Sequence, residues 1–326
     1  MLKPTGTVLL SIGLAAATGC AANTSGSTTQ TCSDIVAQDL VPSPSWQGTV
    51  FTVVLENKSQ ADIFGNKDAP FINGLMKDNA VAAGYRDNLV HPSEPNYIWM
   101  VAGENFGILD DEAPATHHID SQSHLVDQLE MQGLTWKAYM ESMGTACGLE
   151  SKYPYEPKHD PFVYFDDVNG WDGTKFMPSQ RCKEHVVDYS EFDKDLAANT
   201  LAKYVFITPN MINDMHDGTV AQGDAWAAKE IPKILGSDAF NKGGVLFLTF
   251  DEGSNQKDDP PMIVISPNAK RGYTSNTSYN ASSYLKTVQK ILGTQPLPCN
   301  TTADTVQTMD DMFTVPLDAV KKTATP

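Results

Sequence analysis

Three stretches of this chain are almost continuously apolar, and each stops abruptly in a polar cluster. Thr49-Val50-Phe51-Thr52-Val53-Val54-Leu55 runs into Glu56-Asn57-Lys58-Ser59. Tyr204-Val205-Phe206-Ile207 runs into Thr208-Pro209 and then Asn213-Asp214-Met215-His216-Asp217. Gly244-Val245-Leu246-Phe247-Leu248-Thr249-Phe250 stops at Asp251-Glu252-Gly253. A strand with one wet face alternates apolar and polar residues. A strand without alternation is covered on both faces, which is the situation inside sheets flanked by helices. Helical spacing lies between these runs. Pro70 opens a predicted helix over 70–83 with Ile72, Leu75, Met76 and Ala80 on one face. Ser121–Gln132 places Leu125, Val126 and Leu129 inward before Gly133. A third helix starts at Asp224 and carries Trp226, Ala227, Ile231 and Ile234, and a fourth covers Ser283–Leu292 with Gly293 as its cap. Thr135–Met140 and Met262–Ile265 read as further strands. The pattern predicts an α/β fold with a doubly wound, mainly parallel sheet and helices on both faces. From Gly144 to Asp188 the periodicity weakens, and aromatics, prolines and Cys147 and Cys182 cluster. This stretch is expected to be an excursion over one end of the sheet, stapled by a disulfide.

In a parallel sheet the carboxyl ends of the strands share one edge, and that edge is where ligands bind. The polar clusters should therefore meet there. Any one of them alone is an ordinary solvated strand end; their joint occurrence is the signal. Glu56, Asn57, Asp251 and Glu252 are hard oxygen donors and suit one divalent cation, with calcium, magnesium, manganese and zinc all admissible. His91-Pro92-Ser93-Glu94-Pro95-Asn96-Tyr97 adds a hydroxyl. The two prolines disfavour helix before them, so Ser93 is expected on a stiff, non-helical turn, held as a nucleophile would be. The competing reading is a proline turn whose serine merely caps a helix. His159 and His216 are candidates for contacting phosphate or protonating a leaving group, with a structural role as the alternative. His124 reads as structural, and His117 and His118 are open.

The formal net charge of −17 excludes nucleic-acid or anionic-membrane binding through a basic face. It also means that an anionic substrate needs local positive charge, and a bound metal ion is one source. At the N-terminus Lys3 precedes the apolar run Val8–Ala17, which is too short to span a membrane and ends at Ala17-Thr18-Gly19-Cys20. Residues 1–19 are expected to be a signal peptide. Cys20 is expected to carry a lipid, the chain's only membrane attachment, with an ordinary secretory leader as the alternative. Residues 20–45 form a tether and N-terminal segment, and 46–320 a single monomeric domain. The expected location is the periplasm or outer membrane of a bacterium, or the medium. The remaining cysteines, Cys32, Cys147, Cys182 and Cys299, suggest two disulfides in one of three possible pairings; the favoured one has Cys147–Cys182 closing a local loop and Cys32–Cys299 tying the ends.

Glu56-Asn57, the His91–Tyr97 segment, Asn105–Asp111, Pro209–Asp217, Phe250-Asp251-Glu252 and Ser266-Pro267 together resemble, in order, the phosphoesterase family of acid phosphatases and non-specific phospholipases C within the alkaline-phosphatase superfamily. The resemblance covers about residues 49–293. It implies an alkaline-phosphatase-like fold and a serine nucleophile that also ligates the metal, at Ser93. It implies metal ligands at Glu56, Asn57, Asp251 and Glu252. Substrate contacts are implied at Asp111, Asn213 and Asp214, and Asn96 and His159 are added as candidates. His216 joins Ser93 as a catalytic candidate. Hydrolysis of a phosphate ester through a phosphoserine follows, with an acid-phosphatase-like monoesterase first, a phospholipase C-like diesterase second, and a non-catalytic ligand-binding lipoprotein of the same fold as the contrasting case. One departure stands out. Ala281 occupies a position where family members often carry histidine before the last helix, which favours a single metal.

Overall fold

The computed structural model describes residues 40–255, 257–297 and 305–321. The leader, Cys20, the tether and the expected Cys32–Cys299 pair lie outside the described residues. The strands, in chain order, are β1 (Leu40–Val41), β2 (Val50–Leu55), β3 (Ala80–Ala82), β4 (Trp136–Met140), β5 (Val186–Asp188), β6 (Tyr204–Thr208), β7 (Val245–Phe250), β8 (Met262–Ile265), β9 (Tyr273–Ser275) and β10 (Val320–Lys321). β1 and β10 pair as a small antiparallel ribbon. The other strands form one eight-stranded sheet in the order β5-β4-β6-β2-β7-β8-β3-β9.

β4, β5, β6, β2 and β7 are mutually parallel, as are β3 and β9, while β8 runs antiparallel to both β7 and β3. The sheet is thus mixed and mostly parallel. The reversal of β8 sends its carboxyl end to the opposite edge. Ser266 accordingly lies beside the start of β7, where its Oγ donates to Gly244 O at 2.6 Å.

Two-sided burial explains the unbroken apolar runs. Along β2, Val50 and Val54 pack into one core, while Phe51, Val53 and Leu55 pack into the other. The first core is closed by helices Ser93–Ala102, Leu125–Met131 and Ala281–Leu292, the second by Pro70–Asp78, Ser190–Ala198 and Val220–Leu235. The helix predicted over 70–83 ends at Asp78, and Ala80–Ala82 is strand β3. The helix predicted over 121–132 is shorter, starting at Leu125. The helix predicted from Asp224 starts earlier, at Val220, behind a Thr219–Gln222 capping box. Asp224 instead lies buried inside it, accepting from Phe71 N at 3.1 Å and Ile72 N at 2.8 Å, so that it caps the neighbouring helix. The excursion is tied by the Cys147–Cys182 disulfide, with Cα atoms 5.3 Å apart. It carries two short 3-10 turns, Pro157–His159 and Pro161–Tyr164, which lie against the Ser93–Ala102 helix.

Candidate active site

The carboxyl ends of β2, β6 and β7 do converge. Asp251 N donates to Leu55 O at 3.1 Å and Glu56 N to Asp214 O at 2.7 Å, which locks the three polar clusters side by side. Asn57 takes a left-handed φ of 51° that points its N–H at Asp251 Oδ1, 3.1 Å away. Asparagine is one of the few residues that adopts this conformation cheaply.

Ser93 reaches the same edge. Its Oγ donates to Glu56 Oε2 at 3.0 Å, and both residues are buried. The non-helical turn expected here is a helix start. Pro92 is the N-cap, Ser93 the first helical residue, and Pro95 falls in the first turn, whose N–H groups have no intrahelical acceptor to lose. Ser93 does not act as the cap: its hydroxyl faces Glu56.

Most of the other candidate residues lie near this pair. Asn96 Nδ2 donates to Glu252 Oε2 at 2.9 Å. His159 lies between Glu56 Oε1, 3.4 Å from its Nε2, and Asp214 Oδ2, 3.2 Å from its Nδ1. His216 Nδ1 lies 2.8 Å from Asp217 Oδ1 and its Nε2 lies 3.3 Å from Lys158 Nζ. An ammonium only donates, so Nε2 accepts and the imidazole proton sits on Nδ1. Asp111 uses one oxygen for Glu94 N (3.0 Å) and the other for Lys158 Nζ (2.9 Å). Asn213 stands apart, with its amide donating to both Glu141 oxygens at 3.0 and 2.9 Å.

Two groups were not singled out in the sequence. His91 Nδ1 lies 3.0 Å from Glu252 Oε2 and its Nε2 lies 3.2 Å from Asp87 Oδ2, and Asp87 in turn accepts from Gly253 N at 2.9 Å. Lys158 is the second. His91 lies two residues before Ser93 and Lys158 adjoins His159, but the sequence gives no hint of their partners. Of the open histidines, His117 contacts Glu94 at 2.7 Å and Asp110 at 3.1 Å, while His118 stacks on Trp171 and contacts Asp166. His124 is buried against Phe165 beside Asp127 and Asp167. That triad is geometrically able to hold a metal, but Arg181 already neutralises both of its carboxylates.

The electrostatics of the edge are those of a site short of positive charge. Burial, then the charges of Asp251 and Asp214, push the Glu56 carboxyl well above the usual carboxylate range. Burial raises Asp251 to about 7, and burial together with the Asp251 charge raises Asp214 to about 8. Glu252 rises to about 9 through burial and the charges of Asp251 and Asp87. Burial pulls the His159 imidazole well below its usual value, so it is neutral. Lys158 goes the other way: burial disfavours its charge, but the hydrogen bond to Asp111 and the charges of Asp111, Glu56 and Asp251 outweigh it. Glu56 Oε1, Asp251 Oδ2, Asp214 Oδ2 and His159 Nε2 are buried with no hydrogen-bond partner among the described residues. Orphaned carboxylate oxygens gathered in this way fit a divalent cation. Glu56, His159 and His216 also offer ligand atoms within 4.8 Å of one another. An all-oxygen set favours magnesium, calcium or manganese, and a mixed imidazole–carboxylate set suits zinc.

Comparison with known proteins gives a consistent picture. The Phosphoesterase family matches residues 44–295. The chain is 32% identical over 250 residues to the phosphatidylinositol-3-phosphatase of Mycobacterium tuberculosis, covering 75% of this chain and 76% of that protein. It is 29% identical over 256 residues to an acid phosphatase of Aspergillus fumigatus, covering 73% of this chain and 53% of that one, so it spans about half the length of this fungal relative. A crystal structure of a protein in the alkaline phosphatase superfamily from Vibrio parahaemolyticus shares the fold, with a TM-score of 0.52 at 11% identity over 82% of this chain and 74% of that chain.

Proposed function

The chain belongs to the phosphoesterase family and is a hydrolase of phosphoric ester bonds, and from that premise we propose that it is an acid-phosphatase-like phosphomonoesterase acting through a phosphoserine on Ser93. The observation that carries this reading is the 3.0 Å hydrogen bond from Ser93 Oγ to Glu56 Oε2, on an edge where buried carboxylate oxygens stand unpartnered. In this reading Glu56, Asn57, Asp251 and Glu252, with Ser93, hold one divalent ion. Bound there, such an ion acts as a Lewis acid toward phosphoryl oxygens and lowers the pKa of a neighbouring hydroxyl.

The chain's own residues supply the rest. Glu56 orients the Ser93 hydroxyl toward the substrate. Ser93 Oγ passes its proton to Glu56 Oε2 as it attacks phosphorus in line, the bond from phosphorus to the ester oxygen breaks, and that oxygen takes a proton from water and leaves as the alcohol. Water then attacks the phosphoserine from the opposite side, freeing phosphate and Ser93. Charge stays on the non-bridging oxygens, so fixed donors provide most of the stabilisation. Asn96 and His159 contribute to that donor set in this reading. His216 Nε2 accepts from Lys158 in the resting arrangement, so it serves as an acceptor and not as a proton source there. Asp214 buttresses His159. Asp111 holds Lys158 and the start of the nucleophile helix. Asn213 braces the β6 loop against Glu141 and makes no substrate contact in this reading.

A diesterase is the second reading, supported by Ala281 at the start of the last helix, where the family often has an imidazole. The export, lipid-anchor and domain-boundary readings belong with the proposal, supported by the leader-like N-terminus and the excursion's disulfide. Substitution Ser93→Ala tests the core of it. The variant should fold and lose release of p-nitrophenol from p-nitrophenyl phosphate; near-wild-type turnover would remove Ser93 from the mechanism.

A further inference from the structure

We propose that Lys158 selects the substrate by charge, favouring phosphomonoester dianions over diester monoanions; this rests on the phosphoesterase reading above. The edge gathers Glu56, Asp87, Asp111, Asp214, Asp251 and Glu252 around one hydroxyl. One divalent ion offsets only part of that charge, and a monoester brings two more negative charges where a diester brings one. A fixed cation facing the phosphoryl group is therefore what separates the two substrates.

The geometry points to Lys158 as that cation. Its Nζ lies 2.9 Å from Asp111 Oδ2, and the other Asp111 oxygen takes the N–H of Glu94, the residue after Ser93. On its other side the same Nζ lies 3.3 Å from His216 Nε2, and His216 shares a ligand-distance cluster with Glu56, the hydrogen-bond partner of Ser93. The ammonium is thus held between Asp111, which also takes the N–H of the residue after Ser93, and His216, which neighbours the partner of Ser93. It has three N–H groups, and the third has no partner among the described residues. The lysine sits on the Pro157–His159 turn that also delivers His159, so its backbone is fixed by a proline and by packing against the nucleophile helix. The other nearby lysine is committed elsewhere, because Lys58 Nζ donates to the carbonyls of Asn57 and Met215 at 3.2 and 2.9 Å. Asp111 is then a positioning residue, since its carboxylate holds the ammonium in place.

A diester puts an alkyl or aryl substituent on the oxygen that the free N–H would meet, so it gains little from Lys158. A charge-assisted hydrogen bond to a dianion is worth about 10- to 200-fold in affinity for the transition state.

The test uses the full chain, with the divalent ion that activates the wild type, and compares p-nitrophenyl phosphate with its methyl diester. Lys158→Met should lower the monoester-to-diester ratio of kcat/KM by about 10- to 200-fold, and should raise the Ki of inorganic phosphate by a similar factor. Lys158→Arg should restore most of both. An unchanged ratio, whether both substrates fall together or neither does, would overturn the assignment and leave Lys158 a structural residue. Thermal unfolding of Lys158→Met and Lys158→Gln checks that the fold survives. Failure of the parent reading looks different: the wild type would then cleave neither ester, or Ser93→Ala would cleave both.

Discussion

Replacing Glu56 by glutamine should make the metal-free protein more stable and the enzyme nearly inactive. Glu56 is fully buried, its Oε1 has no hydrogen-bond partner among the described residues, and burial plus Asp251 and Asp214 raise its pKa well above 4.5. The sign follows from linkage. A carboxyl whose folded pKa is raised favours its protonated form in the fold. The stability it contributes is complete below about pH 4.5 and is lost as pH rises toward the folded value. Glutamine keeps the shape, can accept from Ser93 and has no charge to lose. The stability gap between variant and wild type should therefore widen with pH, by at most roughly 1.4 kcal/mol per unit. From pH 5 to pH 7 this caps the widening at about 3 kcal/mol, or roughly 5–10 °C in Tm for a domain of this size. Sharing of protons among Glu56, Asp251 and Asp214 will reduce it. Calorimetry of chelator-treated wild type and variant at both pH values reads the gap directly. Adding a divalent ion should then stabilise the wild type and leave the variant nearly unmoved, and monoester turnover by the variant should be down by about 100- to 1,000-fold. A gap that shrinks with rising pH, or a variant that keeps wild-type turnover, would refute the reasoning.

Two further outcomes concern the scaffold. Replacing Cys147 and Cys182 by serine opens a loop of 35 residues and should cost about 3–4 kcal/mol in urea unfolding, with activity impaired because the same excursion carries Lys158 and His159. Asp224→Ala removes the acceptor for Phe71 N and Ile72 N and should cost roughly 1–3 kcal/mol in the same assay while leaving kcat unchanged; a drop in kcat would mean that the distant helix pair shapes the site.

The parts of this molecule legible in the sequence are those fixed by short-range patterning. β2, β6 and β7 announce themselves because two-sided burial removes alternation, and their polar ends announce the edge. Tertiary context decided what was missed. Ala80–Ala82 extends an apolar helical spacing yet pairs with β8 and β9, because Asn79 ends the helix and the next three residues fill the place between those two strands. The start of the helix at Val220 was signalled by Thr219 and Gln222, a capping pair readable in principle. Pro92 and Pro95 looked incompatible with helix around Ser93, but prolines are harmless where first-turn N–H groups are unbonded. Lys158 could not be found locally, since its partners lie 47 and 58 residues away in sequence. The partner of Asn213 was equally out of local reach, since Glu141 lies 72 residues distant.

The central claim is that Ser93 takes the phosphoryl group. Acid-quenched reaction with a monoester, followed by peptide mass spectrometry, reads it directly. The account expects one phosphate mass increment, confined to the peptide carrying Ser93 and absent from Ser93→Ala. A labelled peptide elsewhere, or turnover in which no phosphoenzyme forms under conditions that trap one, would contradict it.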